Sequence, residues 1–225
     1  MLNLNAQAWL SLVALAVVMG LLLFISAGTI HYWQAWVYLS IYMGASLLTT
    51  LYLMKKDPAL LKRRMRGGPT AEKRSKQKLI MLCTSIGFIA LLFVPALDYR
   101  FRWSAMPLSF VIVGDVLVLT GFHFIFLVYK ENPFTSATIE VAKEQKVIST
   151  GPYAIVRHPM YASALLYLVG TPLALGSFWG LLPFVAMIPF LIWRLYDEES
   201  FLAGNLSGYA EYQKTVRHRL IPLIW

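Results

Sequence analysis

The chain has 225 residues, of which 58% are hydrophobic and only 14% charged, with a mean hydropathy of +0.61. A soluble domain typically carries about 25% charged residues, so this chain has too little polar surface to cover a water-soluble globule and reads as an integral membrane protein. That excludes disorder, collagen-like repeats and a disulfide-stapled scaffold, and the single cysteine, Cys83, excludes any intrachain disulfide.

A helix needs about 20 apolar residues to cross the hydrocarbon layer. Ala8–Ala27, Trp36–Met54 and Leu79–Leu97 meet that length, and Leu108–Tyr129 follows with Asp115 and His123 inside it. Tyr161–Leu175 and Leu181–Arg194 are shorter, covering about 20–23 Å each. They read as a tight hairpin turning at Gly176–Gly180, and the sequence leaves open whether it fully spans the bilayer. Met1–Trp9 has no Lys or Arg, so no cleavable leader is expected. The predicted fold is an all-α polytopic membrane bundle. It has four spans, a C-terminal hairpin giving five to six membrane segments, and a helical tail in the cytoplasm. It forms one domain over 1–225, with 1–129 mainly scaffold and 130–225 carrying the chemistry.

The net charge of +9 would point to nucleic acid in a soluble protein. Here ten of the cations fall between Lys55 and Lys78, against Asp57 and Glu72 alone. Basic loops this short stay on the cytoplasmic side. The loop 55–78, the N-terminus, the segment 130–157 and the C-terminus then share the cytoplasm, while Trp33, Trp103 and Trp179 fall at the opposite interface. Orientation is the plain reading of the loop, and binding of anionic lipid head groups is the alternative. The bilayer is the expected partner, and nucleic acid is not.

Three clusters near the membrane surface carry candidate chemistry. In Gly151-Pro152-Tyr153-Ala154-Ile155-Val156-Arg157-His158-Pro159-Met160-Tyr161, proline keeps the preceding residue out of the helix and favours the first helical position. A helix therefore starts at Pro159, with unpaired N–H groups and partial positive charge suited to a carboxylate or phosphate. The alternative is a helix start with an interfacial Arg and His. In Arg194-Leu195-Tyr196-Asp197-Glu198-Glu199, Arg194 and Glu198 are four apart and share a helix face. Acids beside a membrane need partners and often mark function, although an ion pair closing the helix explains them too. In the tail, Leu202, Leu206 and Tyr209 make an apolar helical face, followed by the basic Arg217-His218-Arg219. It is either an interfacial helix or a cover over the other two clusters. For Asp115 a structural hydrogen bond to a neighbouring helix is expected, and His123 is a candidate lining residue. No Gly-rich nucleotide loop, serine-hydrolase elbow or metal-ligand spacing is present, so no metal is expected.

At these clusters the sequence resembles the isoprenylcysteine carboxyl methyltransferase family of integral membrane enzymes. The matching pattern is Val147–Tyr161, then Arg194-x-x-x-Glu198-Glu199, then Gly208-Tyr209-x-x-Tyr212 and Arg219-Leu220-Ile221-Pro222. The first 130 residues match only as generic spans. The resemblance implies S-adenosylmethionine as cofactor and a lipophilic small-molecule or lipidated acceptor. Gln145, Val147, Ile148, Tyr153, Arg157, His158, Pro159, Tyr161, Glu198 and Glu199 are the implied cofactor-binding residues, with either glutamate suited to a cationic group. Arg194, Glu198 and His158 are the catalytic candidates, Arg194 on the acceptor side. Thr138 stands where the family has a glutamine. Three other activities share the outline: phospholipid N-methylation, S-methylation of a small thiol, and sterol reduction with NADPH. Sterol reductases also carry an Arg-His near a Tyr, but this chain has Pro159 after that pair and Glu-Glu in place of Asp-Glu.

Overall fold

The computed structural model describes residues 3–225; Met1 and Leu2, the start of the segment read for a leader, lie outside them. Every regular element described is helical: α1 (Leu4–Ala27), α2 (Trp33–Lys56), α3 (Pro58–Met65), α4 (Ser75–Phe101), α5 (Leu108–Glu131), α6 (Pro159–Ala174), α7 (Leu181–Asn205) and α8 (Tyr209–Thr215), with a single 3-10 turn at Gly151–Ala154. The all-α membrane architecture expected from the sequence is thus observed. Among the described residues, α1, α2, α4 and α5 are the four helices long and apolar enough to cross a bilayer.

Local chemistry sets the helix ends. Asn3 caps α1 by accepting the Ala6 amide at 2.7 Å, and Gly28 closes it in the left-handed region at φ 68°. Asp57 caps α3 at the Leu60 amide, 2.8 Å away, and Pro58 takes the first helical position. α6 begins at Pro159, as its sequence predicts. Large side chains such as Val17, Leu21, Ile25, Leu48, Ile86, Ile112 and Leu119 point outward. That outward apolar surface is what a chain solvated by lipid requires. The interior packs Met19, Leu23, Tyr32, Tyr38, Leu92, Val118 and Leu175 together.

The bundle has two chemically distinct ends. One gathers the loop 55–78, the segment 132–158, the end of α7, and the tail. The other gathers the α1–α2, α4–α5 and α6–α7 turns, with Trp33, Trp103 and Trp179 all exposed there. At this second end Asp98 is buried and accepts Ser104 N (2.8 Å), Ser104 Oγ (2.6 Å) and Ser177 Oγ (2.5 Å), while Tyr32 donates to the Leu175 carbonyl at 2.5 Å.

Those bonds fasten the turn of the hairpin to the loops of the far end, a point the sequence left open. α7 also continues past Arg194 to Asn205, so the acidic cluster sits inside the helix rather than beyond it. Within the loop 55–78, α3 forms because Leu60 and Leu61 bury against Ala8 and Leu53. Asp115 Oδ1 is buried without a hydrogen-bond partner, so the bond expected to a neighbouring helix is not made through that atom. His123 is exposed and borders neither of the two cavities described below.

Candidate active site

The tail returns to the start of α6 and is clasped there. The Arg157 and His158 amides donate to the carbonyls of His218 and Arg219, both at 2.9 Å. Arg157 Nε donates to Glu199 Oε1 at 2.6 Å, and its Nη1 to the carbonyls of Val216 and Arg217, each at 2.9 Å. His158 Nε2 lies 3.1 Å from Glu199 Oε1, and Arg219 Nε donates to Glu199 Oε2 at 2.9 Å. Arg157, His158 and Glu199 are all buried. Burial alone would raise the Glu199 carboxyl, but the hydrogen bonds from His158, Arg157 and Arg219 outweigh it and hold it at about 2.

A cavity of about 600 Å³ lies inside this clasp. Its apolar floor comes from Phe88, Leu168, Met187 and Leu191, and its roof from residues 134–140 and 145–148. Leu206, Tyr209 and Tyr212 close over it from the tail, packed with Val147, Tyr153 and Leu202. The polar wall holds Tyr161, whose hydroxyl donates to Glu198 Oε2 at 2.5 Å, and Tyr153, whose hydroxyl accepts from Asn132 Nδ2 at 3.0 Å. Tyr212 donates to the Tyr153 carbonyl at 2.7 Å. Burial pushes the Tyr153, Tyr209 and Tyr212 phenols up, so all three stay neutral at ordinary pH. The Tyr209 hydroxyl is buried and has no partner within the protein.

Gln145, Val147, Ile148, Tyr153, Arg157, His158, Pro159, Tyr161, Arg194 and Glu198 all border this cavity, as does Thr138. Gln145 is turned inward on its own loop, its Oε1 accepting the Ala142 amide at 2.8 Å. The sequence treats Glu198 and Glu199 as interchangeable partners for a cation, and the structure separates them: Glu198 borders the cavity, while Glu199 is behind it in the clasp. Arg157 borders the cavity too, but its Nε and Nη1 are committed to Glu199 and two carbonyls.

Arg194 does not pair with Glu198 along the helix. Its Nη1 donates to Gln77 Oε1 at 2.6 Å and lies 2.8 Å from Glu72 Oε1, and its Nη2 donates to the Ala137 carbonyl at 3.0 Å. Gln77 in turn donates to Asp197, which is also paired with Arg74. Arg63 and Arg64 bind the carbonyls of Pro133 and Ser136. The basic loop therefore holds the cavity roof in place, which the sequence did not disclose. The available hint was that Glu72 is one of only two acids among ten cations.

A second groove of about 620 Å³, almost wholly apolar, lies between α6, α7 and the C-terminal residues Leu220–Trp225. It shares Pro159, Tyr161 and Leu191 with the first cavity.

The chain is similar to known methyltransferases. The family described as phospholipid methyltransferase matches residues 109–207. A protein-S-isoprenylcysteine O-methyltransferase B of Arabidopsis thaliana is 29% identical over 143 residues, which cover 61% of this chain and 70% of that protein. A protein-S-isoprenylcysteine O-methyltransferase of Schizosaccharomyces pombe is 34% identical over 84 residues, 36% of this chain and 35% of that protein. The matched region thus spans most of the first relative and about a third of the second. With the signature residues of α6, α7 and the tail brought to one cavity in a helical membrane bundle, the chain is similar to the isoprenylcysteine carboxyl methyltransferases, and these likenesses support an enzyme that methylates.

Proposed function

We propose that the enzyme transfers the methyl group of S-adenosylmethionine to the carboxylate of an isoprenylcysteine-type acceptor, with the donor entering from the cytoplasm and the acceptor from the membrane. The observation that carries this reading is the pairing of a cavity that has a polar, charged wall with an almost wholly apolar groove across Tyr161 and Leu191. A polar, charged donor and a lipid-like acceptor need such neighbouring compartments, and both relatives are named for O-methylation of an isoprenylcysteine.

The donor fits the residues present. Bound there, it supplies an electrophilic methyl group on a sulfonium centre. Glu198 offers a carboxylate to its cationic groups, and the rings of Tyr153 and Tyr161 offer faces worth about 0.5–2 kcal/mol to a desolvated cation. The unpartnered Tyr209 hydroxyl is a polar atom on the lining that a ligand would satisfy. With Arg157 committed to the clasp, the first-turn amides of α6 and the free edge of His158 remain for the donor's carboxylate. Arg194, a helical turn deeper than Glu198, orients the acceptor. A carboxylate acceptor is already ionised near neutral pH, so His158 need not act as a base; positioning supplies the acceleration.

S-adenosylhomocysteine should bind the purified enzyme in calorimetry, and NADPH should not displace it. Glu198→Gln should weaken that binding by about 1–3 kcal/mol, the scale of losing a hydrogen bond to a charged group. Unchanged affinity in both Glu198→Gln and Tyr153→Ala would overturn the site. Because a phospholipid methyltransferase description matches residues 109–207, an aminophospholipid belongs beside a prenylated cysteine in the acceptor assay. Methylation of the lipid amine alone would replace the carboxylate reading.

A further inference from the structure

We infer that Glu72 is a positioning residue for methyl transfer: it cancels the charge of Arg194 while leaving its N–H groups to orient the acceptor. This rests on the proposed reading of Arg194 as the acceptor-side residue. Glu72 lies between α3 and α4, outside the motifs of the family signature, and its side chain is 2% exposed. Its Oε1 is 2.8 Å from Arg194 Nη1, and its Oε2 meets only the Ile139 amide, at 3.4 Å. No second cation shares this carboxylate, whereas Arg74 and Gln77 take up Asp197.

A staple for the loop would not need a charge here. Gln77, fully buried, already gives the same Nη1 a neutral acceptor at 2.6 Å, and the Ala137 carbonyl fixes Nη2 at 3.0 Å. What Glu72 adds is a negative charge at ion-pair distance, and unlike Arg194 it does not itself border the cavity. Arg194 has five N–H donors; Gln77 and the Ala137 carbonyl accept from two of them, and Glu72 is at ion-pair distance without a hydrogen bond to Oε1, so donors remain for the cavity.

The reaction explains why cancellation helps. Methyl transfer breaks the donor's sulfonium S–C bond, the electron pair staying on sulfur, and forms a C–O bond to the acceptor carboxylate. One positive and one negative charge disappear together, and no proton moves. An uncompensated guanidinium holds the full carboxylate of the ground state more tightly than the half-neutralised carboxylate of the transition state. That difference raises the barrier, because only interactions stronger in the transition state accelerate the step. A guanidinium neutralised in this way still fixes the geometry with far less of this penalty.

The test uses full-length enzyme in detergent or nanodiscs, with a prenylated cysteine bearing a free carboxylate as acceptor. Acceptor affinity is measured by calorimetry on protein loaded with S-adenosylhomocysteine, and turnover is measured separately. Glu72→Gln should tighten acceptor binding about threefold or more and lower kcat by a similar factor, a joint fall in KM and kcat that loss of a structural contact does not give. Glu72→Asp should restore both toward wild type. Gln77→Met removes a neutral bond from the same nitrogen and should weaken acceptor binding, not tighten it. Weaker acceptor binding in Glu72→Gln, or unchanged kcat, overturns the inference. Should Glu72→Gln not fold, Glu72→Asp decides: its longer ion pair must move KM and kcat down together, and any other direction overturns the inference. If the wild type binds S-adenosylhomocysteine but does not methylate the carboxylate, the functional reading itself fails, and the inference falls with it for that separate and visible reason.

Discussion

Glu198 and Glu199 are chain neighbours on α7 with opposite surroundings. Glu198 meets one tyrosine hydroxyl at the edge of a cavity, whereas Glu199 is enclosed by two guanidinium groups and an imidazole. Removing the Glu199 charge strands buried Arg157, a loss of about 3–5 kcal/mol for a broken buried pair. Glu199→Gln should therefore release the tail, seen as proteolysis near Arg217–Arg219 and a lower Tm, and donor affinity should fall because Tyr209 and Tyr212 leave the cavity with it. The pH dependence has a definite sign. A carboxyl lowered from 4.5 to about 2 contributes its full stability above its ordinary value and loses it as pH falls from there toward 2. Hydrogen exchange at residues 216–220 should be flat from pH 8 to 5, after correction for intrinsic rates, and should rise only below about pH 4.5. A rise already complete above pH 5 would mean that a group other than Glu199 governs the clasp.

At the scale of helices, the site depends on how closely α5 and α6 approach. A Cβ on Gly114 would stand 2.1 Å from the Ala174 nitrogen, and one on Gly121 would stand 2.8 Å from the Tyr167 nitrogen. Both neighbours are backbone and cannot swing aside. Small residues at such seams are the membrane solution to helix packing, since lipid provides no hydrophobic drive between helices. Gly114→Ala should cost about 1–3 kcal/mol, as overpacking does, and should lower Tm while shifting α6, which carries Tyr161 and is preceded by His158. A Tm equal to wild type would show that the seam is looser than its geometry. This seam was only half legible beforehand. Gly114 and Gly121 are seven apart on one face, but a sequence does not say which helix lies opposite. The spans themselves were legible, because composition in a bilayer dictates them residue by residue. α3 was overlooked although Asp57-Pro58 is a helix-start signal, because the surrounding cations drew the reading toward topology. The start of α6 followed from Pro159 alone. The partners of Arg194 could not be read at all: Glu72, Gln77 and the Ala137 carbonyl reach it from elements far apart in sequence, and only tertiary packing brings them together.

At the scale of the whole molecule, charge separates the two ends. Lys55, Lys56, Lys62, Arg66, Lys73, Lys76 and Lys78 are exposed at the end that holds the cavity, and Trp33, Trp103 and Trp179 are exposed at the other. Basic residues resist translocation, so the cavity end should face the cytoplasm. The donor is made and held in the aqueous cell interior, so a cavity on the opposite face would be starved of it. This gives the prediction a functional stake as well as a topological one. Thr70 and Ala105 are exposed at opposite ends of the bundle, and Cys83 is the only native thiol. In a Cys83→Ser background, Thr70→Cys should resist a membrane-impermeant maleimide in intact cells and react once they are permeabilised. Ala105→Cys should react without permeabilisation. The paired design excludes poor accessibility as an explanation, because each position must react under one condition and the two conditions must differ in the stated sense. Labelling of Thr70→Cys from outside, with Ala105→Cys silent until the cells are opened, would invert the molecule and leave the seven exposed cations facing the side on which such loops are disfavoured.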